Sequence, residues 1–231
     1  VLRTEMAHKQ ADSAFQQLTQ RLIKEHWDFY PTAGSRIGRH EYDGRLPDFS
    51  PSQNSRREGE LRRGLAELHA LDAAGLDEAG RMSYRMMELF LRRESFIFND
   101  LKPLENNPMR LTGYLNMSGY IRRDYAPLEE RLRSATAAMK QAPDYLDVLN
   151  QALSDPLSSH VVDMSVESYS GMARFYRVDL ADATKGVTDP EIVSEFDLAR
   201  EAAAAALDLF VEGLQSRGKG GPEGFAIGSA L

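Results

Sequence analysis

The sequence predicts an all-α fold, a helical bundle or array of about seven helices with no significant β-sheet. Three observations predict it. Apolar residues recur at three- and four-residue spacing along most of the chain. Prolines and glycines fall where helices should start and stop. No segment alternates apolar and polar residues between hairpin turns, and no repeat of fixed period appears.

The first helix carries Ala11, Phe15, Leu18, Leu22 and Phe29 as its stripe, with Trp27 and Tyr30 beside it, until Pro31 stops it. A loop at 31–50 follows and ends in Ser50–Pro51–Ser52–Gln53. There Ser50 is placed to cap, Pro51 suits the first helical position, and Gln53 completes a capping box. The second helix is expected from about Pro51 to Ala73, with Leu61, Leu65, Leu68 and Leu71 inward. Arg56, Arg57, Glu58, Glu60, Arg62 and Arg63 make its charged face. The third, about Gly80 to Leu101, is apolar on two sides. Met82, Met86, Phe90 and Ile97 mark one, and Tyr84, Met87, Leu91 and Phe98 the other. Such a helix is expected at the centre of a bundle, its methionines filling core.

Pro103, Pro108, Gly113 and Gly119 make residues 103–120 a Pro/Gly-rich connection of short helical turns. A helix then starts at Pro127, with Glu129 and Glu130 at its positive end and Lys140 in its last turn. Leu128, Leu132, Ala135 and Met139 form its stripe. Pro143 opens a short helix that Pro156 ends. Residues 158–180 are helical, with Val161, Met164, Tyr169, Met172 and Phe175 available for packing. The last helix has Asp189 as cap and Pro190 at its first position. Phe196, Ala199, Ala203, Leu207, Phe210 and Leu214 make its inner face. Gly218, Gly220 and Gly221 end it.

Hydrophobic residues at 42% and charged residues at 27% are globular proportions, which set aside disordered and collagen-like chains. A single helical domain spanning 1–231 is the expected organisation. No apolar run is long enough for a membrane span. The chain has no cysteine, so disulfides, thiolate nucleophiles and Cys-type zinc sites are excluded. That fits a reducing compartment, and a cytoplasmic location is expected. Arg3, Glu5, His8 and Lys9 break up any signal-peptide core. A first residue of Val1 is expected of a processed or shortened chain. The net charge of −7 arises wholly in the second half, the first 115 residues being balanced. A nucleic-acid partner, which needs a basic face, is not expected.

The motifs are incomplete. His40–Glu41 could open the H-E-x-x-H motif of a zinc peptidase, in which two His one turn apart share the ion. The second His position holds Gly44, and Asp43–Gly44 makes a turn where a helix is needed. His8, His26, His69 and His160 lie far apart. Gly213, Gly218 and Lys219 match most of a phosphate-binding loop, but Gly220 replaces the Ser or Thr and the loop follows a helix. Asn116–Met117–Ser118 fits a glycosylation triplet. Asp163 and Glu167 share a helix face, without the Glu-x-x-His pattern of di-metal bundles. No catalytic, cofactor-binding or metal residue is assigned from residue chemistry.

The run Ile37–Gly38–Arg39–His40–Glu41–Tyr42–Asp43–Gly44–Arg45–Leu46–Pro47–Asp48–Phe49–Ser50, preceded by Tyr30–Pro31, resembles the N-terminal signature of the bacterial family catalogued as domain of unknown function 885. Three later segments are similar to that family in the same order. They are Tyr125 to Leu132, Ala142–Pro143–Asp144–Tyr145–Leu146, and Gly224–Phe225–Ala226–Ile227–Gly228. The resemblance implies a longer, mostly helical protein related to gluzincin peptidases, with its zinc motif in a second, C-terminal part that this sequence does not contain. Zinc is therefore expected only in that part, and none in this chain. The expected partners are the C-terminal half or a second copy in a homodimer, with a peptide as substrate of the full-length protein. On this basis the chain is the N-terminal scaffold and cleft wall of a zinc-dependent peptidase-like protein, inactive alone. The rival reading is a self-contained helical binding module. Within the 37–50 segment, His40, Tyr42, Asp43 and Arg45 are candidates to line the cleft. The structural alternative has Asp43–Gly44 turning, Arg45 and Asp48 bonding loop backbone or helix ends, and Ser50 capping.

Overall fold

The structure is a computed structural model that describes the backbone of residues 2–221 and the side chains of 11–221. It is all-α. In chain order the helices are α1 (Leu2–Phe29), α2 (Pro31–Arg36), α3 (Pro51–Ala70), α4 (Glu78–Phe96), α5 (Pro103–Asn106), α6 (Ser118–Arg122), α7 (Leu128–Lys140), α8 (Ala142–Ala152), α9 (Ser159–Val178) and α10 (Pro190–Ser216). Among the described residues the only sheet is a parallel pairing of β1 (Leu157–Ser158) with β2 (Lys219–Gly220). The chain divides into two compact units, one of residues 1–29 and 50–101, the other of 30–49 and 102–231.

In the first unit α1, α3 and α4 share a core of Phe15, Leu18, Leu22, Leu61, Leu68, Met87 and Leu91, closed by Leu76. The stripes of α1 and α3 are the expected ones. Gly64 lets α3 approach α1, since a Cβ there would meet Leu22 at 2.6 Å. The capping box at the start of α3 is not made. Ser50 places its hydroxyl on the Ser52 hydroxyl at 3.3 Å and makes no side-chain cap bond, while its carbonyl accepts from Asn54 N–H.

Two expectations about this unit are overturned. The third helix is not buried on both sides, because Met82, Met86 and Leu89 are exposed while Met87 and Leu91 face the core. Within this unit α4 packs one stripe against α1 and α3. The polar side of α3 is not all solvated either. Arg57 and Glu60 are buried, with the guanidinium 5.5 Å from the Phe29 ring centre and within 3.6 Å of Glu60.

In the second unit α10 packs against α7, α8 and α9. Its inner face is the expected one, and Ala199, Ala203 and Ala204 keep neighbouring helices close. Asp189 caps it, its carboxylate accepting from Glu191 N–H at 3.0 Å. Met164, expected to pack, is exposed on α9.

The 103–120 connection does form short helical turns, and it is fixed from beneath by tyrosines. Tyr145, Tyr169 and Tyr176 are buried and donate to the carbonyls of Leu111, Pro108 and Leu115 at 3.1, 2.9 and 2.8 Å. Burial pushes all three hydroxyls above their ordinary pKa, so they stay protonated donors. Carbonyls that a short 3-10 turn (Pro108–Leu115) leaves unpaired are thereby satisfied.

Candidate functional site

The second unit holds a cavity of about 190 Å³ between the 32–46 segment and the 114–125 segment. Its position follows from the backbone. After α2 the chain turns through Gly38 and Gly44, both at positive φ (+89° and +74°), where glycine alone is unstrained. Gly44 also lies against α7, a Cβ there being 3.0 Å from the Ser134 carbonyl oxygen. Its N–H donates to the Tyr120 hydroxyl at 2.9 Å. Gln141, at the junction of α7 and α8, brackets the next two residues. Its amide nitrogen donates to the Gly44 carbonyl at 2.7 Å and its oxygen accepts from Leu46 N–H at 3.1 Å.

Asp43 anchors the polar wall. Its carboxylate accepts from the Ser35 hydroxyl, from His40 Nδ1 at 2.9 Å and from the Tyr125 hydroxyl at 2.8 Å. Burial, then the bond to Asp43, pushes the Tyr125 hydroxyl well above its ordinary pKa, so it remains a donor. The His40 ring lies flat on the Tyr125 ring, 3.9 Å between centroids and 10° from parallel. With Nδ1–H committed to Asp43, the imidazole is oriented with Nε2 left to accept or pass a proton. Opposite, Arg36 donates to the Gly113 carbonyl, and Arg123 Nη1 donates to the Arg36 carbonyl at 2.9 Å.

Of the four residues proposed from sequence, His40 lines the cavity and Asp43 stands directly behind it. Tyr42 is buried against Gly34. Arg45 is exposed, its guanidinium 5.4 Å from the Tyr42 ring centre, and neither of these two lines the cavity. Sequence reasoning passed over Arg36, Tyr114, Tyr120 and Arg123, which come from segments without a motif. Tyr125 had a signal, since it opens the second family-like segment. Asn116–Met117–Ser118 forms part of the lining, with Asn116 Oδ1 accepting from Ser118 N–H at 2.9 Å. Asp163 forms an ion pair with Lys219 at 2.7 Å, which ties off both the acidic pair and the glycine-lysine loop. Among the described residues no three His, Asp or Glu side chains are grouped to hold a metal ion, so the side chains present do not fit a zinc site.

The fold and the site define a helical protein that pins a polar loop onto a helix junction beside a small cavity. Residues 31–222 match the family described as "Bacterial protein of unknown function (DUF885)", and the chain belongs to that family. Two of its four family-like segments meet at the cavity wall, through His40 and Tyr125, and the third starts at Ala142, next to the Gln141 that holds the loop. The fourth, 224–228, lies outside the described residues. A solved structure from Shewanella oneidensis, described as that of a lipoprotein of unknown function, shares the fold with a TM-score of 0.77 at 20% identity. The match covers 87% of this chain and 37% of that one, so the chain spans little more than a third of that protein's length. No curated protein matches the chain.

Proposed function

We propose that this chain is the N-terminal helical part of a larger peptidase-like protein, in which it serves as scaffold and supplies one wall of a cleft. The observation that carries the reading is the pinned segment from His40 to Leu46, held by side chains of distant helices at the edge of a cavity. A loop tied down this thoroughly is built to present groups rather than to connect helices. The 37% coverage of the Shewanella oneidensis protein supports a longer whole. In this reading zinc, where present, is held by residues of the C-terminal part. The present residues position a peptide, with His40 as the group able to exchange a proton with it.

The test is peptide hydrolysis by the full-length protein and by this chain, each with and without a chelator. The full-length protein should cleave and lose activity with the chelator, and this chain should be inert. Chelator-sensitive cleavage by the chain alone would overturn the division of roles. Arg45→Ala in the full-length protein should leave both substrate binding and Tm nearly unchanged, since Arg45 stands outside the cavity lining and an exposed cation–π contact is worth about 0.5 kcal/mol.

A second reading, a self-contained helical binding module, is favoured by the exposed Met82, Met86 and Leu89 of α4. A monomer that binds a peptide in solution and loses it on Met86→Glu would support that reading over the first.

A further inference from the structure

We infer that the cavity of the second unit is a binding site for a small organic carboxylate, clasped by the guanidinium groups of Arg36 and Arg123. The site is complete within one unit of the chain and does not draw on the scaffold reading.

Both arginines line the cavity, and among the described residues neither forms an ion pair with a carboxylate. The chain carries a net charge of −7 and pairs many other arginines, among them Arg21, Arg56, Arg63, Arg177 and Arg200. Two guanidinium groups left without a counter-charge on one concave wall form an electropositive lining in a chain whose net charge is −7.

Each is also fixed in place. Arg36 spends one Nη on the Gly113 carbonyl, and Arg123 spends one on the Arg36 carbonyl. These bonds cost the forks one donor apiece and remove much of the rotamer freedom that ligand binding would otherwise have to freeze. The remaining N–H groups suit the planar, two-oxygen face of a carboxylate.

The rest of the lining fits the body of such a molecule. Leu46, Tyr114 and Met117 offer apolar surface, while His40 supplies a ring nitrogen. Asp43 is the nearby acid that could repel the ligand. It lies outside the lining, and its oxygens already accept from Ser35, His40 and Tyr125. Its oxygens are thus turned to donors of the wall.

The experiment is a protein-observed NMR titration of this chain with benzoate, alongside benzamide as the neutral isostere and inorganic phosphate as a rival anion. Benzoate should bind saturably in the millimolar range or tighter and shift the Tyr114, Gly119 and Arg123 signals. Benzamide should bind at least about fivefold more weakly, and so should Arg36→Gln and Arg123→Gln toward benzoate, the loss of a charge-assisted pair. Arg123→Lys, which keeps the charge, should recover part of the affinity. If either glutamine variant fails to fold, the shift map of the unaltered chain and the benzamide comparison decide. No saturable benzoate binding at tens of millimolar, equal affinity for benzamide, or shifts elsewhere would overturn the site. Phosphate binding tighter than benzoate would overturn the carboxylate assignment.

Discussion

Tyr125 donates its hydroxyl to Asp43 Oδ2 at 2.8 Å across 82 positions of sequence. Two of the family-like segments are thus joined by one charge-assisted hydrogen bond, and His40 rides on the same pair by bonding the acid and stacking on the ring. Asp43→Ala would strand three donors and should destabilise the chain by about 2 kcal/mol, with Tyr125→Phe costing about 1 kcal/mol. Urea unfolding of the two single variants and the double variant should show a coupling of about 1 kcal/mol. Strict additivity would mean the bond contributes nothing.

Gly44 and Gly38 both sit at positive φ, but only Gly44 is crowded. A Cβ at 44 meets the Ser134 carbonyl oxygen and Ala137 at 3.0 and 3.1 Å, whereas one at 38 meets nothing within 4 Å. Gly38→Ala should cost about 1 kcal/mol from backbone conformation alone. Gly44→Ala should cost clearly more and should move the loop off α7. Equal melting temperatures for the two variants would contradict the close approach.

His26 makes the first unit acid-sensitive. Burial, reinforced by Arg57 and Arg93, lowers its pKa from 6.5 to about 4. Between those values the unfolded chain binds a proton that the folded chain refuses, so stability falls as pH drops through that window. Its upper bound is about 3 kcal/mol. Glu94, whose Oε2 lies 3.6 Å from His26 Nδ1, works the other way. Burial raises its carboxyl above the ordinary 4.5, so its contribution is present at low pH and lost as pH rises through the folded value. Melting temperatures from pH 7 to 4.5 should fall less steeply for His26→Gln than for the parent, and more steeply for Glu94→Gln. Parallel profiles would remove His26 as the cause.

Adjacent methionines on α4 should behave oppositely. Met87 is 8% exposed and Met86 65%. Met87→Ala should cost about 2–4 kcal/mol through lost burial and a cavity. Met86→Ala should stay within about 0.5 kcal/mol. A large loss at Met86 would show that its face is covered in solution.

The helices were legible because burial on one side imposes a period that the residues must follow, as Leu132, Ala135 and Met139 do on α7. The orientation of α4 was not, because Met82–Met86 and Met87–Leu91 repeat at the same spacing and periodicity does not say which stripe meets a neighbour. Arg57 and Glu60 stand in the charged face of α3, and nothing in the sequence marks them as buried, because a charge is costly to bury without a partner. Only the fold shows that an aromatic ring and an opposite charge wait for them. At the site, the sequence marked His40 and Asp43 because they sit together in one dense polar run. Arg36 and Arg123 acquire meaning only through folding, which carries residues some 80 positions apart to the same wall.

Gln141 uses both ends of its side-chain amide on the loop, donating to the Gly44 carbonyl and accepting from Leu46 N–H. Those are the two bonds that a peptide group of a neighbouring strand would make. One side chain thus acts as a surrogate rung of a β-ladder, and a non-helical segment can lie against helices with no strand beside it. Glutamate at 141 would keep the acceptor for Leu46 N–H and lose the donor to the Gly44 carbonyl, and with it one side of the rung.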